Sequence, residues 1–382
     1  MQVAIIHDWL TGMRGGEKVL EVFCEIFPDA DIFTLIHVHG SVSRIIEGMR
    51  IHTSFLQRMP LAKRRYRSFL PLFPLAVEGF DLSNYDVVLS SSHCVAKGAL
   101  TPPSAVHVCY CHTPMRYVWD QYNIYFGGDN KGLASRFLMP VIANYLRMWD
   151  VTSSNRVDYF IANSHHVAKR IKKYYKRPAD VIHAPVDCSF FTPLESHGKG
   201  DYYLLVSAFA PYKRIDVAVD AFEQLGLPLI IAGSGQEEEH IRGRSKKHVQ
   251  CVGWQSDESL RAYYRGCKAL VFPGEEDFGI VPLEAQACGK PVIAYAKGGA
   301  LETVLGVYAT HNAGYEDMGK PPETPTGVFF TDQTPASLMA AVRFFEQQKN
   351  LFHPLLIRKH AEGFDRLVFK EKMKLFVEKL LC

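Results

Sequence analysis

The chain lacks a dominant charge, a long apolar run and a paired-cysteine framework, and each absence narrows what it can be. Its 43 lysines and arginines stand against 40 aspartates and glutamates, a net charge of +3 over 382 residues, so no overall basic field points to nucleic acid as a partner. No stretch of 18 or more apolar residues occurs, which excludes a membrane-spanning helix on length. Residues 137–149 come nearest, but they are too few and are interrupted by Pro140, Asn144 and Arg147. Of nine cysteines only Cys109 and Cys111 lie close together, and no C-x-x-C or Cys/His ligand spacing occurs. Buried thiols in a reducing cytosol are therefore expected, and no bound metal. Met1 to Ile6 reads as a strand, not as the basic and apolar regions of a signal peptide. A G-x-G-x-x-G fingerprint is also missing. The first glycine turn, residues 11–16, spaces Gly12, Gly15 and Gly16 differently, which disfavours a dehydrogenase.

What is present is alternation. Short apolar strands at residues 3–6, 31–38, 85–90, 106–110 and 157–162 are separated by helical patterns such as 17–27 and 166–175. Residues 181–187 read as a linker. A second alternation follows, with strands at 203–207, 228–232, 249–252, 269–272 and 291–295 and helices between them, then a Pro/Gly-rich loop at 311–327 and amphipathic helices at 336–347 and 364–381. Two βαβ halves joined near residue 185 predict two Rossmann-like α/β domains facing across a cleft. Several strands end in polar clusters, Ser90 to His93 with Lys97 and Cys111-His112-Thr113, where α/β sheets place ligands.

The most informative stretch runs from Gly274 to Ala285. An apolar strand (269–272) leads into an acidic, glycine-containing loop, and Pro282 suits the first turn of the helix that follows. Helix N-termini favour phosphate. Glu276 and Glu284, with seven residues between them, can face one ligand, and carboxylates accept hydrogen bonds well from sugar and ribose hydroxyls. The spacing alone fits a solvated acidic loop equally well. A second unusual stretch, residues 55–80, interleaves Arg58, Lys63, Arg64, Arg65 and Arg67 with aromatic and aliphatic residues, cut by Pro60, Pro71 and Pro74. It fits a contact with an anionic membrane surface and, equally, a solvated face packed on its own domain.

Taken together, these residues resemble the retaining glycosyltransferases of the two-domain GT-B fold, and within them glycosyltransferase family 4. The resemblance rests on Glu276 and Glu284 as a Glu-x7-Glu motif, Gly298-Gly299 with Glu302 as the following glycine turn, and the linker Ala184 to Asp187 with Phe191. His7 to Leu10, Ser90 to His93 with Lys97-Gly98, Cys111 to Tyr117 and Pro211 to Asp216 resemble bacterial mannosyltransferases of O-antigen and exopolysaccharide synthesis. The resemblance implies a first, acceptor-side domain of residues 1–184, completed by the C-terminal helix at about 364–382, and a nucleotide-sugar domain of residues 185–363.

It also implies roles. Glu276 would hold donor-sugar hydroxyls, the N–H groups of Phe278, Gly279 and Ile280 would line sugar and phosphate, and Glu284 would bind ribose. Lys213 would stabilise the diphosphate, with Arg214 nearby, and backbone near Gly253 would meet the base. Gly15 and Gly16 would let backbone approach phosphate or acceptor, and His112 would lie beside the transferred sugar. Ser92 and Lys97 fall on the acceptor side, and Lys63, Arg64, Arg65 and Arg67 on the membrane side. The family's arginine five positions before the lysine is Ala208 in this chain. The implied reaction is hexosyl transfer with retention and without a metal, from GDP-mannose to a lipid-linked saccharide at the cytoplasmic face of the membrane. A UDP- or ADP-linked donor, or a catalytically silent scaffold of the same fold, are the alternatives.

Overall fold

The computed structural model describes residues 1–123, 133–194, 200–309 and 322–381, with backbone only at 133–137 and 381. The chain divides into two units, Met1–Ala184 with Phe369–Cys382, and Pro185–Val368.

In the first unit, β1 (Val3–His7), β2 (Asp31–Thr34), β3 (Arg50–Thr53), β4 (Val87–Ser92), β5 (Val106–Cys111), β6 (Tyr159–Ala162) and β7 (Asp180–Val181) form one sheet. Its order is β3-β2-β1-β4-β5-β6-β7, and every pair is parallel. The chain winds outward from β1 to β3, then returns to lay β4 on the other side of β1. Such a reversal leaves a crevice at the carboxyl ends of the two central strands. β1 and β4 are buried along their whole length, as strands covered on both faces must be.

In the second unit, β8 (Tyr203–Val206), β9 (Leu229–Ala232), β10 (Val249–Gly253), β11 (Leu270–Phe272), β12 (Val292–Tyr295), β13 (Gly306–Tyr308) and β14 (Gly327–Phe330) repeat the plan. The order is β10-β9-β8-β11-β12-β14-β13, again all parallel. The reversal lies between β8 and β11. Leu205, Ile231, Val271 and Ile293 pack against Phe222 and Val342 from flanking helices, each such burial contributing about 1.5–3 kcal/mol.

The expectation of two α/β domains with parallel sheets holds. Four strands were not anticipated: β3, β7, β13 and β14. β7 lies where a linker is expected, because Asp180 and Val181 pair with Ile161 and Ala162 at the sheet edge. The loop expected at 311–327 lies outside the described residues up to 321. Pro140 does not interrupt its segment: it sits inside the helix Leu133–Ser154. Ala143 and Leu146 are buried on one side of that helix, and Trp149 Nε1 donates to Glu78 at 2.8 Å, so packing outweighs the one backbone hydrogen bond a proline forfeits. Among the described residues, no helix is long and apolar enough to cross a membrane.

Candidate active site

The β8/β11 reversal explains how two distant stretches meet. β8 leads into the loop 207–214 and β11 into the loop 273–279, and neighbouring parallel strands deliver both loops to the same end of the sheet. Lys213, closing a short 3-10 turn (Pro211–Lys213), forms an ion pair with Glu276, both side chains largely shielded. Gly274 packs against the Lys213 backbone, with space for a Cβ only 3.0 Å from Lys213 Cα. Gly279 takes φ +92° as the residue before the helix Ile280–Ala287, a conformation open to glycine. That helix start leaves first-turn N–H groups facing the same loop.

The glycine pair at 298–299 is a steric requirement. Gly298 bridges Glu276 in parallel fashion and Gly299 N–H donates to Glu276 O at 2.8 Å. A Cβ at 299 would fall 2.3 Å from Phe278 Cα, so only glycine lets the two loops lie together. Glu284 sits within the helix, 4% exposed, and accepts a 2.7 Å hydrogen bond from Tyr264 Oη. Burial, reinforced by the Glu284 carboxylate, pushes the Tyr264 phenol well above its ordinary pKa, so it remains a donor.

The crevice of the first unit is lined by histidines. His7 ends β1, Ser91 lies near the end of β4, and His112 follows β5. Ser91 Oγ is hydrogen-bonded to His112 Nε2 at 2.8 Å and to His7 Nδ1 at 3.0 Å. His7 Nε2 is 3.7 Å from Glu17 Oε1, in the helix Gly15–Ile26. Burial, then the neighbouring His93 and His7, hold the His112 imidazole well below its ordinary pKa, so it is neutral at pH 7. Burial would raise the Glu17 pKa, but the close approach of His7 and the neighbouring His93 bring it below the usual value. Asp8 is fully buried and accepts four backbone N–H groups, from His93, Cys94, Val95 and Ala96, at 2.7–2.9 Å. It thereby fixes the turn carrying His93, whose Nδ1 lies 3.1 Å from Asp8 Oδ2. Gly16 is beside this group: a Cβ there would lie 3.6 Å from His7 and 3.8 Å from His112.

Comparisons with known proteins match most of both units. A profile described as Glycosyltransferase Family 4 matches residues 15–190, and one described as glycosyl transferases group 1 matches residues 190–353. The structure superposes on HepE of Anabaena, solved with UDP and glucose, at a TM-score of 0.70 and 15% identity, covering 99% of this chain and 100% of that one. It superposes on sucrose-phosphate synthase of Thermosynechococcus elongatus at 0.74 and 17%, covering 100% and 99%. The chain has the GT-B glycosyltransferase fold. A family 4-like domain is followed by a group 1 domain. Among sequence relatives, an uncharacterized glycosyltransferase of Methanocaldococcus jannaschii is 29% identical over 43% of this chain and 46% of its own length. The O-antigen chain mannosyltransferase C of Escherichia coli is 32% identical over 25% and 27%. The alpha-1,3/1,6-mannosyltransferase of Mus musculus is 25% identical over 62% of each. The chain thus matches less than two thirds of the length of each of these relatives.

Within this GT-B chain the expected residues fall into distinct groups. Lys213, Glu276, Phe278, Gly279, Ile280 and Glu284 come together around one helix start. Gly253, at φ +74°, belongs to the same unit and its carbonyl accepts from Gly233 N–H at 2.8 Å. Gly15 and Gly16 open the helix beside the histidines. Arg214 is paired within its own loop: its guanidinium spans both oxygens of Asp216 at 3.1 and 3.2 Å. Ala208 is exposed at the entry of the loop.

Ser92 and Lys97 require correction as acceptor-side groups. Lys97 is 1% exposed, with its Nζ 2.7 Å from Asp150 Oδ1 and 3.0 Å from Ser153 Oγ, flanked by the rings of Trp149 and Tyr175. Asp150 also accepts from Trp119 Nε1 and Tyr175 Oη. Ser92 is buried and its Oγ accepts from Lys97 N–H. Among the described residues this is a buried core network. Lys63, Arg64, Arg65 and Arg67 are all exposed, while Leu56, Ala62, Tyr66 and Phe73 of the same segment enter the core. Sequence reasoning did not single out Asp8, Glu17 or Tyr264 as site residues, and took in Ser91 and His93 only as members of the polar cluster Ser90 to His93. Polar strand ends signal Asp8, Ser91 and His93, whereas Glu17 lies in the first turn of a helix and Tyr264 is one aromatic among many on another.

Proposed function

We propose that this chain is a retaining hexosyltransferase that moves mannose from GDP-mannose to a lipid-linked saccharide in surface-polysaccharide synthesis. The observation that carries the reading is the meeting of Lys213 and Glu276 at the β8/β11 reversal, beside the start of the helix that holds Glu284. Breaking a sugar–phosphate bond builds negative charge on the departing diphosphate and positive charge on the sugar. Electrostatic stabilisation at a prearranged site is therefore the main catalytic need. Donor binding exchanges the Lys213–Glu276 pair for a Lys213–phosphate contact and for hydrogen bonds from sugar hydroxyls to Glu276. The helix N-terminus adds partial positive charge. Glu284, set by Tyr264, accepts from ribose hydroxyls. His112, neutral and hydrogen-bonded to Ser91, offers the first unit's polar group for a sugar hydroxyl. No carboxylate is assigned as nucleophile. The leaving phosphate takes the acceptor's proton on the face it departs from, which retains the configuration.

The two mannosyltransferases among the relatives support mannose as the sugar. A UDP-linked hexose is the second reading, favoured by the HepE structures with UDP and UDP-glucose. A thermal-shift screen of GDP-, UDP- and ADP-sugars separates them: a ligand at 100 times its Kd stabilises by about 2.7 kcal/mol. A shift with UDP-glucose and none with GDP-mannose overturns the donor assignment. For the acceptor, we place the first unit at the cytoplasmic membrane surface through Lys63, Arg64, Arg65 and Arg67 with exposed Phe55, Leu61 and Leu75. Flotation with anionic vesicles should show binding that weakens when the four cations are neutralised. Unchanged flotation argues for a soluble acceptor.

A further inference from the structure

The turn after β2 gathers three side chains that the proposed reaction does not use. His37 lies on a segment beyond the strand: Leu10 N–H donates to Ile36 O and Val38 N–H to Leu10 O, both at 2.8 Å, around a parallel bridge between Leu10 and His37. His39 opens the turn that follows, where Ser41 N–H donates to Val38 O at 3.1 Å. Gly40, at φ +77°, then turns the chain, and the short helix Arg44–Glu47 brings Glu47 back to the two imidazoles. His37 Nε2 lies 3.2 Å from both Glu47 oxygens, and His39 Nδ1 lies 3.1 Å from Glu47 Oε2. One ligand atom from each of the three falls within 4.8 Å of the others. The sequence reading found no ligand cluster because Glu47 is eight residues beyond His39 and only the turn unites them.

We propose that His37, His39 and Glu47 form a binding site for a divalent transition metal of the zinc type, with solvent completing a tetrahedron. Bonds of about 2.0–2.2 Å to tetrahedral zinc place neighbouring ligand atoms about 3.3 Å apart. The two His–Glu separations already match, the ligand atoms of the two histidines lie within 4.8 Å of one another, and His39 can rotate to adjust, since its side chain is 91% exposed. The other two ligands are held in place. Gln57 clamps the His37 backbone through two 2.9 Å hydrogen bonds, and Gly40 N–H donates to Glu47 Oε1 at 2.7 Å. Two imidazoles and one carboxylate suit zinc, whereas magnesium and calcium select all-oxygen sites. The ion would brace the turn 37–47 against the segment leading into the first glycine turn. That segment is already tied to it through Ser41 Oγ to Leu10 O at 3.3 Å and Ser43 N–H to Met13 Sδ at 3.3 Å.

The test is a calorimetric titration of metal-stripped full-length protein with zinc chloride, repeated for His39→Ala and Glu47→Gln. Optical titration with cobalt(II) chloride reports tetrahedral nitrogen and oxygen ligation separately from thiolate. Saturable binding of zinc is expected, weakened at least about tenfold in each variant, with cobalt d–d bands lost in His39→Ala. The exposed position of His39 keeps that variant folded even where Glu47→Gln is not. Zinc affinity and cobalt spectra unchanged in His39→Ala, or no saturable binding to the wild-type chain, would overturn the proposal.

Discussion

Replacing Lys213 by alanine probes the proposed donor site where it has the fewest cations. The position five residues earlier is Ala208, and Arg214 is engaged by Asp216. The load on Lys213 is therefore heavier than where an arginine assists. The Lys213–Glu276 pair is shielded, with side chains 15% and 17% exposed. A cation about 4 Å from a diphosphate oxygen contributes on the order of 4 kcal/mol at an effective dielectric of about 20. Its loss should slow sugar transfer by about a thousandfold. The loss should fall on kcat more than on KM, because charge grows on the leaving group in the transition state. Single-turnover release of nucleotide diphosphate, with donor saturating, measures this directly. Ala208→Arg, built at an exposed position, should restore at least about tenfold when added to Lys213→Ala. Transfer by Lys213→Ala within about tenfold of wild type, with its thermal transition unchanged, would rule out a leaving-group role for Lys213.

Tyr264→Phe removes the donor to buried Glu284 and should cost about 1–3 kcal/mol of stability, raising KM for the donor while leaving kcat near wild type. An unchanged KM would separate Glu284 from donor binding. Lys97→Met leaves Asp150 as a buried carboxylate without its cation. It should lower the unfolding free energy by about 3–5 kcal/mol in urea titration, with donor KM unchanged in the folded fraction. A loss below about 1 kcal/mol would show the network to be dispensable.

Local pattern carried much of this molecule. The strand–loop–helix pattern at 269–285 was readable because apolar strand, glycine, proline and carboxylates lie within one stretch. Placing Lys213 against Glu276 required the strand order, which puts β8 beside β11 although β9 and β10 intervene in the chain. Lys97 misled for the same reason in reverse. A lysine after a serine cluster resembles a ligand-binding group, but Asp150, which neutralises it, lies 53 residues away. His7 and Ser91 are separated by 84 residues and meet only because β1 and β4 are neighbours. Tyr264 was hidden because burial, not residue type, makes its hydroxyl matter. The histidine–glutamate turn at 37–47 was hidden because a glycine turn, not a motif spacing, brings its groups together.

The central claim is that this chain transfers a sugar from a nucleotide donor with retained configuration. Incubating the purified protein with GDP-mannose and a polyprenyl-diphosphate-linked saccharide, and reading the new anomeric linkage by NMR, tests it most directly. GDP release coupled to an α-linked mannose from the α-linked donor is the expected result. A β-linked product would contradict retention, and no nucleotide diphosphate release from GDP-, UDP- or ADP-linked hexoses would contradict transfer itself.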